Sequence, residues 1–212
     1  MIYFFKILIS LIIPFNTIAQ TTPGIDLSHH IKNIPWEKVK VAPPLFLIHK
    51  ATEGSSHTDS KYFERKEIAQ NYKIPFGAYH FFSYKSSGNS QAKHYIKTAQ
   101  LSSGNVIPIV DLEFVKQMPT KQQVVTNVKE FIFEIEKQYK VKPIIYCEYD
   151  FYNQYLKDDF SDLNYWIADY NKTPDCNYVI WQYSKTGKIY GLNGMDLNRL
   201  NPNTQINQII LP

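Results

Sequence analysis

Two acidic residues follow a short apolar run near the middle of the chain. Asp111 and Glu113 come directly after the run from Ile107 to Val110 and are two residues apart. In a β-strand this spacing places both side chains on one face, roughly 6.5 Å apart along the strand. Two carboxylates that share a pocket are what the cleavage of a glycosidic bond uses. The alternative is a structural acid pair, which would need cationic partners because unpaired buried charges are costly.

Two further acids lie in the first and last apolar runs that follow the N-terminal segment. Asp26 closes the first run, and Asp196 lies in the last one. The first and last strands of a closed barrel are neighbours, so such a barrel would bring all four acids into one site. Taken alone, either aspartate is more typical of a loop cap or of a lysine partner.

The elements that must position these acids are predicted from short apolar runs between turn residues and from helical periodicity. The predicted strands are 24–28, 45–51, 75–82, 106–114, 143–147, 164–170, 179–183 and 194–198. The predicted helices are 60–72, 90–102, 120–139 and 149–156. Alternation of strands with helices predicts an α/β fold with parallel strands, and eight strands predict a closed TIM-like barrel. The last three strands leave no room for helices between them.

The first nineteen residues have the layout of a secretory signal peptide. An apolar run from Ile7 to Phe15 precedes the small-residue site Thr17-Ile18-Ala19. Pro14 interrupts this run, which falls short of the roughly 20 apolar residues of a membrane-spanning helix. We therefore expect cleavage after Ala19, export to the periplasm or the medium, and one domain over residues 20–212.

Composition argues against several partners. The formal charge of +4 is mild and the basic residues are scattered, so we expect no nucleic acid partner. No second apolar segment of bilayer length follows the first, so we expect no membrane contact after signal cleavage. We also expect a monomer. No His-x-His or His-Glu-x-x-His spacing occurs, so we expect no metal and no cofactor. His80 is interpreted as a core residue, and Lys50 with Glu53 as a structural ion pair. Cys147 and Cys176 leave two alternatives open, a disulfide or two packing cysteines.

Seven short motifs occur in order along the chain, each at a predicted strand end. They are Gly24-Ile25-Asp26-Leu27-Ser28, Lys50-Ala51-Thr52-Glu53-Gly54, Gly77-Ala78-Tyr79-His80-Phe81, Asp111-Leu112-Glu113, Trp166-Ile167-Ala168-Asp169-Tyr170, Trp181-Gln182-Tyr183 and Met195-Asp196. Together they resemble glycoside hydrolase family 25, the N-acetylmuramidase lysozymes. The resemblance implies five β-α units followed by three strands, and cleavage of the β-1,4 bond between N-acetylmuramic acid and N-acetylglucosamine in peptidoglycan.

The same resemblance implies roles for the four acids. Glu113 would be the proton donor, Asp111 would assist as base, nucleophile or orienting group, and Asp26 and Asp196 would complete an acidic floor. Negative charge on the three aspartates is expected to keep Glu113 protonated near neutral pH. The spacing of the pair does not distinguish a retaining from an inverting outcome.

Aromatic side chains near predicted strand ends are candidate faces for sugar binding, and aromatic residues make up 15% of the chain. The predicted substrate-binding residues are Tyr79, Phe81, Tyr146, Trp166, Tyr170 and Gln182. Among them we favour Tyr79 and Trp166 as stacking subsites. Core packing is the alternative for each aromatic ring, because large side chains also fill barrel interiors.

Two other functions remain as alternatives. A chitinase-like glycosidase would carry an Asp-x-x-Asp-x-Asp-x-Glu run, but the fourth predicted strand offers only Asp-x-Glu, after Pro108-Ile109-Val110. A peptidoglycan-binding protein that has lost catalysis could use the same barrel, although this chain retains all four acids.

Overall fold

The computed structural model describes residues 22–212. The predicted signal peptide over residues 1–19 and the predicted start of the domain at residue 20 lie outside this range, so both stay predictions. In chain order the elements are β1 (Gly24–Leu27), α1 (Trp36–Val41), β2 (Leu47–Glu53), β3 (His57–Thr58), α2 (Tyr62–Asn71), β4 (Phe76–Phe81), α3 (Gly88–Ala99), β5 (Ile109–Leu112), α4 (Lys121–Tyr139), β6 (Ile144–Glu148), α5 (Tyr149–Phe151), a π-helical turn (Tyr152–Leu156), β7 (Asn164–Ala168), β8 (Ile180–Ile189), β9 (Leu192–Leu200) and a 3-10 helix (Ile206–Ile209).

Eight of these strands close into a barrel. Their hydrogen-bonded order is β1-β9-β8-β7-β6-β5-β4-β2, and pairing of β1 with β2 closes the ring. Strand β9 is antiparallel to both of its neighbours, whereas the other barrel strands are parallel to one another. The predicted α/β barrel of five β-α units followed by three strands is confirmed. Parallel strands end at one rim, so the loops after β1, β2, β4, β5, β6 and β7 surround one mouth.

Three short elements were not predicted, namely α1, β3 and the 3-10 helix at Ile206–Ile209. Helix α1 begins after Pro35, which makes no side-chain capping hydrogen bond, and it buries only Val39. The sequence therefore carries neither a capping signal nor an apolar stripe at this place. Strand β3 has two residues and pairs only with the end of β2, outside the barrel.

The last two strands are longer than predicted because they continue beyond the barrel as a hairpin. Its turn is Tyr190 and Gly191, with φ of 57° and 86°. Positive φ at both turn residues matches the right-handed twist of the two strands that it joins. The outer halves of β8 and β9 are largely exposed, so they lack the apolar pattern on which the prediction depended.

Helix α4 follows its sequence pattern closely. Thr120 accepts a hydrogen bond from the Gln123 backbone N–H, and the Gln123 side chain completes a capping box. The helix packs against α3, where Gly88 permits close approach of the backbones. A Cβ at Gly88 would lie 1.8 Å from the Asn127 carbonyl oxygen, so no other residue fits there without a shift of one helix.

The barrel also contains a buried histidine that the sequence assigned to the core. One ring nitrogen of His80, Nδ1, lies 2.7 Å from the Thr52 hydroxyl, and Nε2 lies 3.0 Å from Gln91 Oε1. Burial lowers the pKa of His80 to about 3, so the ring is neutral near pH 7. The core interpretation of His80 is confirmed.

The sequence left open whether the two cysteines form a disulfide. Cys147 is buried in β6 and Cys176 is half-buried, and both are free thiols, so the disulfide alternative is not the one adopted in this structure. No helix within residues 22–212 is both long and apolar enough to span a bilayer.

Candidate active site

A cavity of about 220 Å³ opens at the barrel mouth where the parallel strands end. Its walls contain four carboxyl groups, four aromatic rings, one amide and one lysine. The lining residues are Asp26, Tyr79, Asp111, Glu113, Tyr146, Trp166, Tyr170, Gln182, Lys185 and Asp196. All four predicted acids are therefore brought together, along with every predicted substrate-binding residue except Phe81.

Three strands, β1, β5 and β9, position the four acids at the cavity. Asp111 is near the end of β5, and Glu113 follows the last residue of that strand. Asp26 in β1 lies directly opposite Asp196 in the antiparallel pair of β1 and β9. The predicted adjacency of these two aspartates is thus confirmed. Asp196 lies in the middle of its strand rather than at a strand end, because β9 runs in the opposite direction.

Two amide side chains hold Asp26. Gln182 Nε2 and Asn198 Nδ2 both donate to Asp26 Oδ2, at 3.0 Å and 2.7 Å. Burial raises the pKa of Asp26 to about 7, with a further rise from the charge of Asp196, while the two amide donors oppose the shift. The carboxyl group is consequently poised to change its protonation state near neutral pH.

A second layer of hydrogen bonds fixes the orientation of these amides. Tyr146 and Tyr170 both donate their hydroxyl groups to Gln182 Oε1, at 3.0 Å and 2.7 Å. Trp166 Nε1 donates to Asn198 Oδ1 at 2.8 Å. Because each amide oxygen is occupied by a donor, each amide nitrogen must face Asp26. The aromatic side chains in the cavity wall therefore orient the two amides so that their nitrogen atoms face Asp26.

Asp111 is more enclosed than Glu113. Its side chain lines the cavity, only 6% of the residue is exposed, and Oδ1 has no hydrogen-bond partner within the described chain. Burial raises the pKa of Asp111 well above its usual value, and the charge of Glu113 raises it further. An unpartnered buried oxygen in a cavity wall is positioned for a ligand, since leaving it unsatisfied is costly.

Glu113 is only partly buried, and its pKa is also raised. Burial is the main cause, the charge of Glu148 comes next, and Asp196 adds a smaller contribution. Of the three aspartates expected to raise the pKa of Glu113, only Asp196 contributes. Glu148, at the end of the neighbouring strand β6, was not anticipated because only the barrel brings it close.

Comparison with known proteins identifies the family. A family model described as "Glycosyl hydrolases family 25" matches residues 25–192. The chain belongs to glycosyl hydrolase family 25. It is 30% identical to the autolytic lysozyme of Clostridium acetobutylicum over 175 residues, which cover 81% of this chain and 53% of that protein. It is also 30% identical over 193 residues to the uncharacterized protein YegX of Escherichia coli K12, covering 86% of this chain and 71% of that one.

The fold gives the same assignment. A solved family 25 glycosyl hydrolase from Bacillus anthracis superimposes with a TM-score of 0.80 at 28% identity, covering 86% of this chain and 89% of that chain. The protein is therefore a glycoside hydrolase of the lysozyme type, and the chitinase-like alternative does not fit.

In this family 25 enzyme, Phe81 supports the site from outside the cavity. Lys50 Nζ lies 4.5 Å from the Phe81 ring centroid and 2.6 Å from Glu53 Oε2, which confirms the predicted ion pair. The positive charge of Lys50 lowers the pKa of both Asp111 and Glu113, against the effect of burial. The Phe81 ring lies beneath a cation instead of presenting a face to the cavity.

Trp166 differs from its predicted role as a stacking subsite. Only 2% of the residue is exposed, and the Tyr146 ring packs against it with centroids 4.6 Å apart. A ring so enclosed has no open face for a sugar, although its edge reaches the cavity wall. Tyr79 is half-buried in the cavity wall and is less enclosed than Trp166, so it is the better candidate for contact with a substrate.

Asn198 and Lys185 belong to the site but were not predicted. Asn198 is two residues after Asp196 on β9, so strand alternation was a signal that could have placed it on the same face. Lys185 had no such signal, because it lies in the part of β8 that extends past the predicted strand. Among residues 22–212, no group of three or more His, Cys, Asp or Glu side chains is arranged to hold a metal ion.

The raised pKa of Asp26 predicts a pH-dependent gain in stability for Asp26→Asn. Because the pKa rises from 3.8 to about 7 on folding, the folded state binds more protons between these values, and the free energy of unfolding contributed by Asp26 falls as pH rises. The stability of Asp26→Asn relative to the natural protein should therefore increase between pH 4 and 7, by at most roughly 4 kcal/mol. Urea unfolding at several pH values measures this difference.

The difference between the two proteins is the quantity to follow, since buried histidines act in the opposite direction. Burial lowers the pKa of His49 to about 4 and that of His80 to about 3, so their contribution to stability is lost as pH falls below 6.5. Asp175→Asn, a change of the same type at an exposed loop residue, is the matched control and should give no such trend. A flat difference for Asp26→Asn would contradict the assignment.

Proposed function

We propose that this family 25 enzyme is an N-acetylmuramidase that hydrolyses the β-1,4 bond between N-acetylmuramic acid and N-acetylglucosamine in peptidoglycan. The observation that carries the proposal is the pair Asp111 and Glu113. Both acids come from the end of one barrel strand, line one cavity and have raised pKa values. Two carboxyl groups of this kind can supply a proton to the glycosidic oxygen and a negative group near the sugar.

We assign the proton donor to Glu113. A general acid must reach the leaving oxygen and take up a new proton after each turnover, which requires contact with solvent. Glu113 is partly exposed at the cavity wall, whereas Asp111 is almost fully enclosed. The raised pKa of Glu113 keeps a larger fraction of the group protonated at the working pH.

Asp111 then acts on the sugar ring that develops positive charge as the bond breaks. Its free Oδ1 is the group available to a ligand, as base, nucleophile or orienting acceptor. Asp26 and Asp196 form the acidic floor, where Asp26 is fixed by Gln182 and Asn198. Negative charge in this floor stabilises the positive charge that develops on the sugar ring as the bond breaks.

The proposed substrate contacts come from the aromatic and amide wall. Tyr79, Tyr146, Tyr170 and Gln182 line the cavity with groups that can pack against a sugar or hydrogen-bond to its hydroxyls. Trp166 holds Asn198 in place and acts as a positioning residue.

Export is part of the proposal, because peptidoglycan lies outside the cytoplasmic membrane. It rests on the pattern of residues 1–19 alone. The N-terminal sequence of the protein recovered from the periplasm or medium tests it, and we expect Gln20 as the first residue. Retention of Met1 on protein confined to the cytoplasm would contradict it.

Mass spectrometry of the fragments released from purified peptidoglycan tests the reaction. A muramidase leaves N-acetylmuramic acid at the new reducing ends, so reduction with borohydride should yield muramitol. Glucosaminitol would instead assign cleavage to the other glycosidic bond. Binding to the polymer without any released fragment would favour the non-catalytic alternative.

A further inference from the structure

Lys185 is the one basic residue among the described residues that line the active-site cavity. The cavity also contains four carboxyl groups, of which Asp196 is opposite Asp26 in the sheet. An ammonium group at the mouth of an otherwise acidic cavity changes which substrates can enter. Neither the roles proposed for Asp111 and Glu113 nor the hydrogen bonds of the amides to Asp26 explain the presence of this lysine.

An irregularity in β8 directs Lys185 toward the cavity. Gln182 and Lys185 both line the cavity although they are three residues apart, and a regular strand would place them on opposite faces. The register with β9 shifts between Gln182 and Ser184, and again between Ser184 and Gly187. A bulge of this kind turns a side chain to the other face of its strand. The position of Lys185 is therefore built into the sheet.

The ammonium group lies near an aromatic ring and, in the described part of the chain, has no carboxylate partner at ion-pair distance. Lys185 Nζ lies 4.7 Å from the centroid of the Tyr170 ring, whose hydroxyl belongs to the network around Asp26. Within residues 22–212, no carboxylate oxygen lies within 4.0 Å of Lys185 Nζ. Its charge acts on Asp196 from a distance and lowers the pKa of that group against the effect of burial. A positive charge without an ion-pair partner is thus presented to the cavity.

We propose that Lys185 is a specificity-determining residue that binds the carboxylate carried by the muramyl residue of the substrate. This inference rests on the proposed muramidase function. Both sugars of the glycan are neutral in their rings and acetamido groups, and the 3-O-lactyl substituent of the muramyl residue carries the acid. Four carboxyl groups would repel such a substrate, and the ammonium of Lys185 offsets this repulsion at the entrance.

The test compares Lys185→Gln with Lys188→Gln. Lys188 is an exposed lysine on the same strand that does not line the cavity, so both variants lose one positive charge from the same hairpin. The substrates are glycan strands stripped of peptide, which have free lactyl carboxylates, and the same strands after methyl esterification. Peptide-bearing strands form a third arm, because their lactyl carboxyl is an amide and their charge lies on the peptide.

The quantity measured is the ratio of kcat/KM between charged and esterified strands. For the natural protein this ratio should be roughly three to ten, as expected for one partly exposed charge-assisted contact. Lys185→Gln should bring it close to one, whereas Lys188→Gln and Lys185→Arg should keep it. A loss seen only with peptide-bearing strands assigns the contact to a carboxylate of the peptide, and a loss with stripped strands assigns it to the lactyl group.

Other outcomes would overturn the inference. If Lys185→Gln keeps the ratio of the natural protein, Lys185 does not recognise the carboxylate. If this variant in addition shifts the pH profile equally on charged and esterified strands, Lys185 acts electrostatically on Asp196 instead. A ratio near one for the natural protein would also show that Lys185 does not recognise the carboxylate. Failure of the proposed function is distinguishable, because the natural protein would then release no fragments with N-acetylmuramic acid at the reducing end.

Discussion

Glu113→Gln should lower the rate of fragment release from peptidoglycan by a factor of roughly 10² to 10⁴, which is the usual contribution of a general acid. The amide keeps the shape of the side chain but cannot donate a proton to the glycosidic oxygen. Release of reducing ends from purified peptidoglycan, normalised to folded protein, measures the loss. The melting temperature should change little, because Glu113 makes no side-chain ion pair in the described chain and is only partly buried.

Two comparisons separate proton donation from a general loss of charge. Glu67→Gln makes the same chemical change on the exposed face of α2 and should leave the rate unchanged. A substrate with a better leaving group needs less help from an acid, so it should rescue Glu113→Gln more than Asp111→Asn. If folded Glu113→Gln clears peptidoglycan at a near-normal rate, the donor must be Asp26, Asp111 or Asp196.

Trp166→Ala should destabilise the protein by about 3 to 5 kcal/mol, as the loss of a buried tryptophan usually does. The residue is 2% exposed, packs against Tyr146 and donates its indole N–H to Asn198. For a chain of this size the change corresponds to a fall in melting temperature of roughly 6 to 20 °C. Urea unfolding at a pH where the natural protein is most stable gives the free energy directly.

The controls distinguish packing from the hydrogen bond. Phe133→Ala removes an aromatic ring that is 62% exposed on α4, and should change stability by less than about 0.5 kcal/mol. Trp166→Phe keeps most of the packing but leaves Asn198 Oδ1 without its donor, which costs about 1 to 3 kcal/mol. A normal melting temperature for Trp166→Ala with much weaker substrate binding would restore the stacking subsite that the sequence suggested.

Much of this molecule is predictable from local patterns. Alternating apolar runs and helices are sufficient for the α/β barrel, since nearly all residues of β1, β2, β5, β6 and β7 are buried and these strands therefore appear as largely apolar runs. Helix α4 was predicted to within one residue because Thr120 caps it and its apolar residues recur at helical spacing. Asp111 and Glu113 were predicted for a similar reason, because the end of an apolar run in the sequence indicates the end of a strand.

Short or exposed elements are not visible in the same way. Helix α1 and strand β3 are too short to show a period, and the outer hairpin of β8 and β9 has no buried face along most of its length. Their formation depends on contacts with elements that are distant in sequence. Lys185 was missed for this reason, since the bulge that directs it into the cavity is a relation between two strands.

By itself, the sequence determined the barrel, the family and the four acids, because residue type and spacing within single strands are local properties. Only the tertiary structure decided how these acids differ from one another. Burial separates the enclosed Asp111 from the partly exposed Glu113, and Glu148 acts on Glu113 across two strands. The support of Asp26 by Gln182 and Asn198 likewise joins residues more than 150 positions apart. Electrostatic environment depends on what surrounds a group in three dimensions, and spacing along the chain does not specify it.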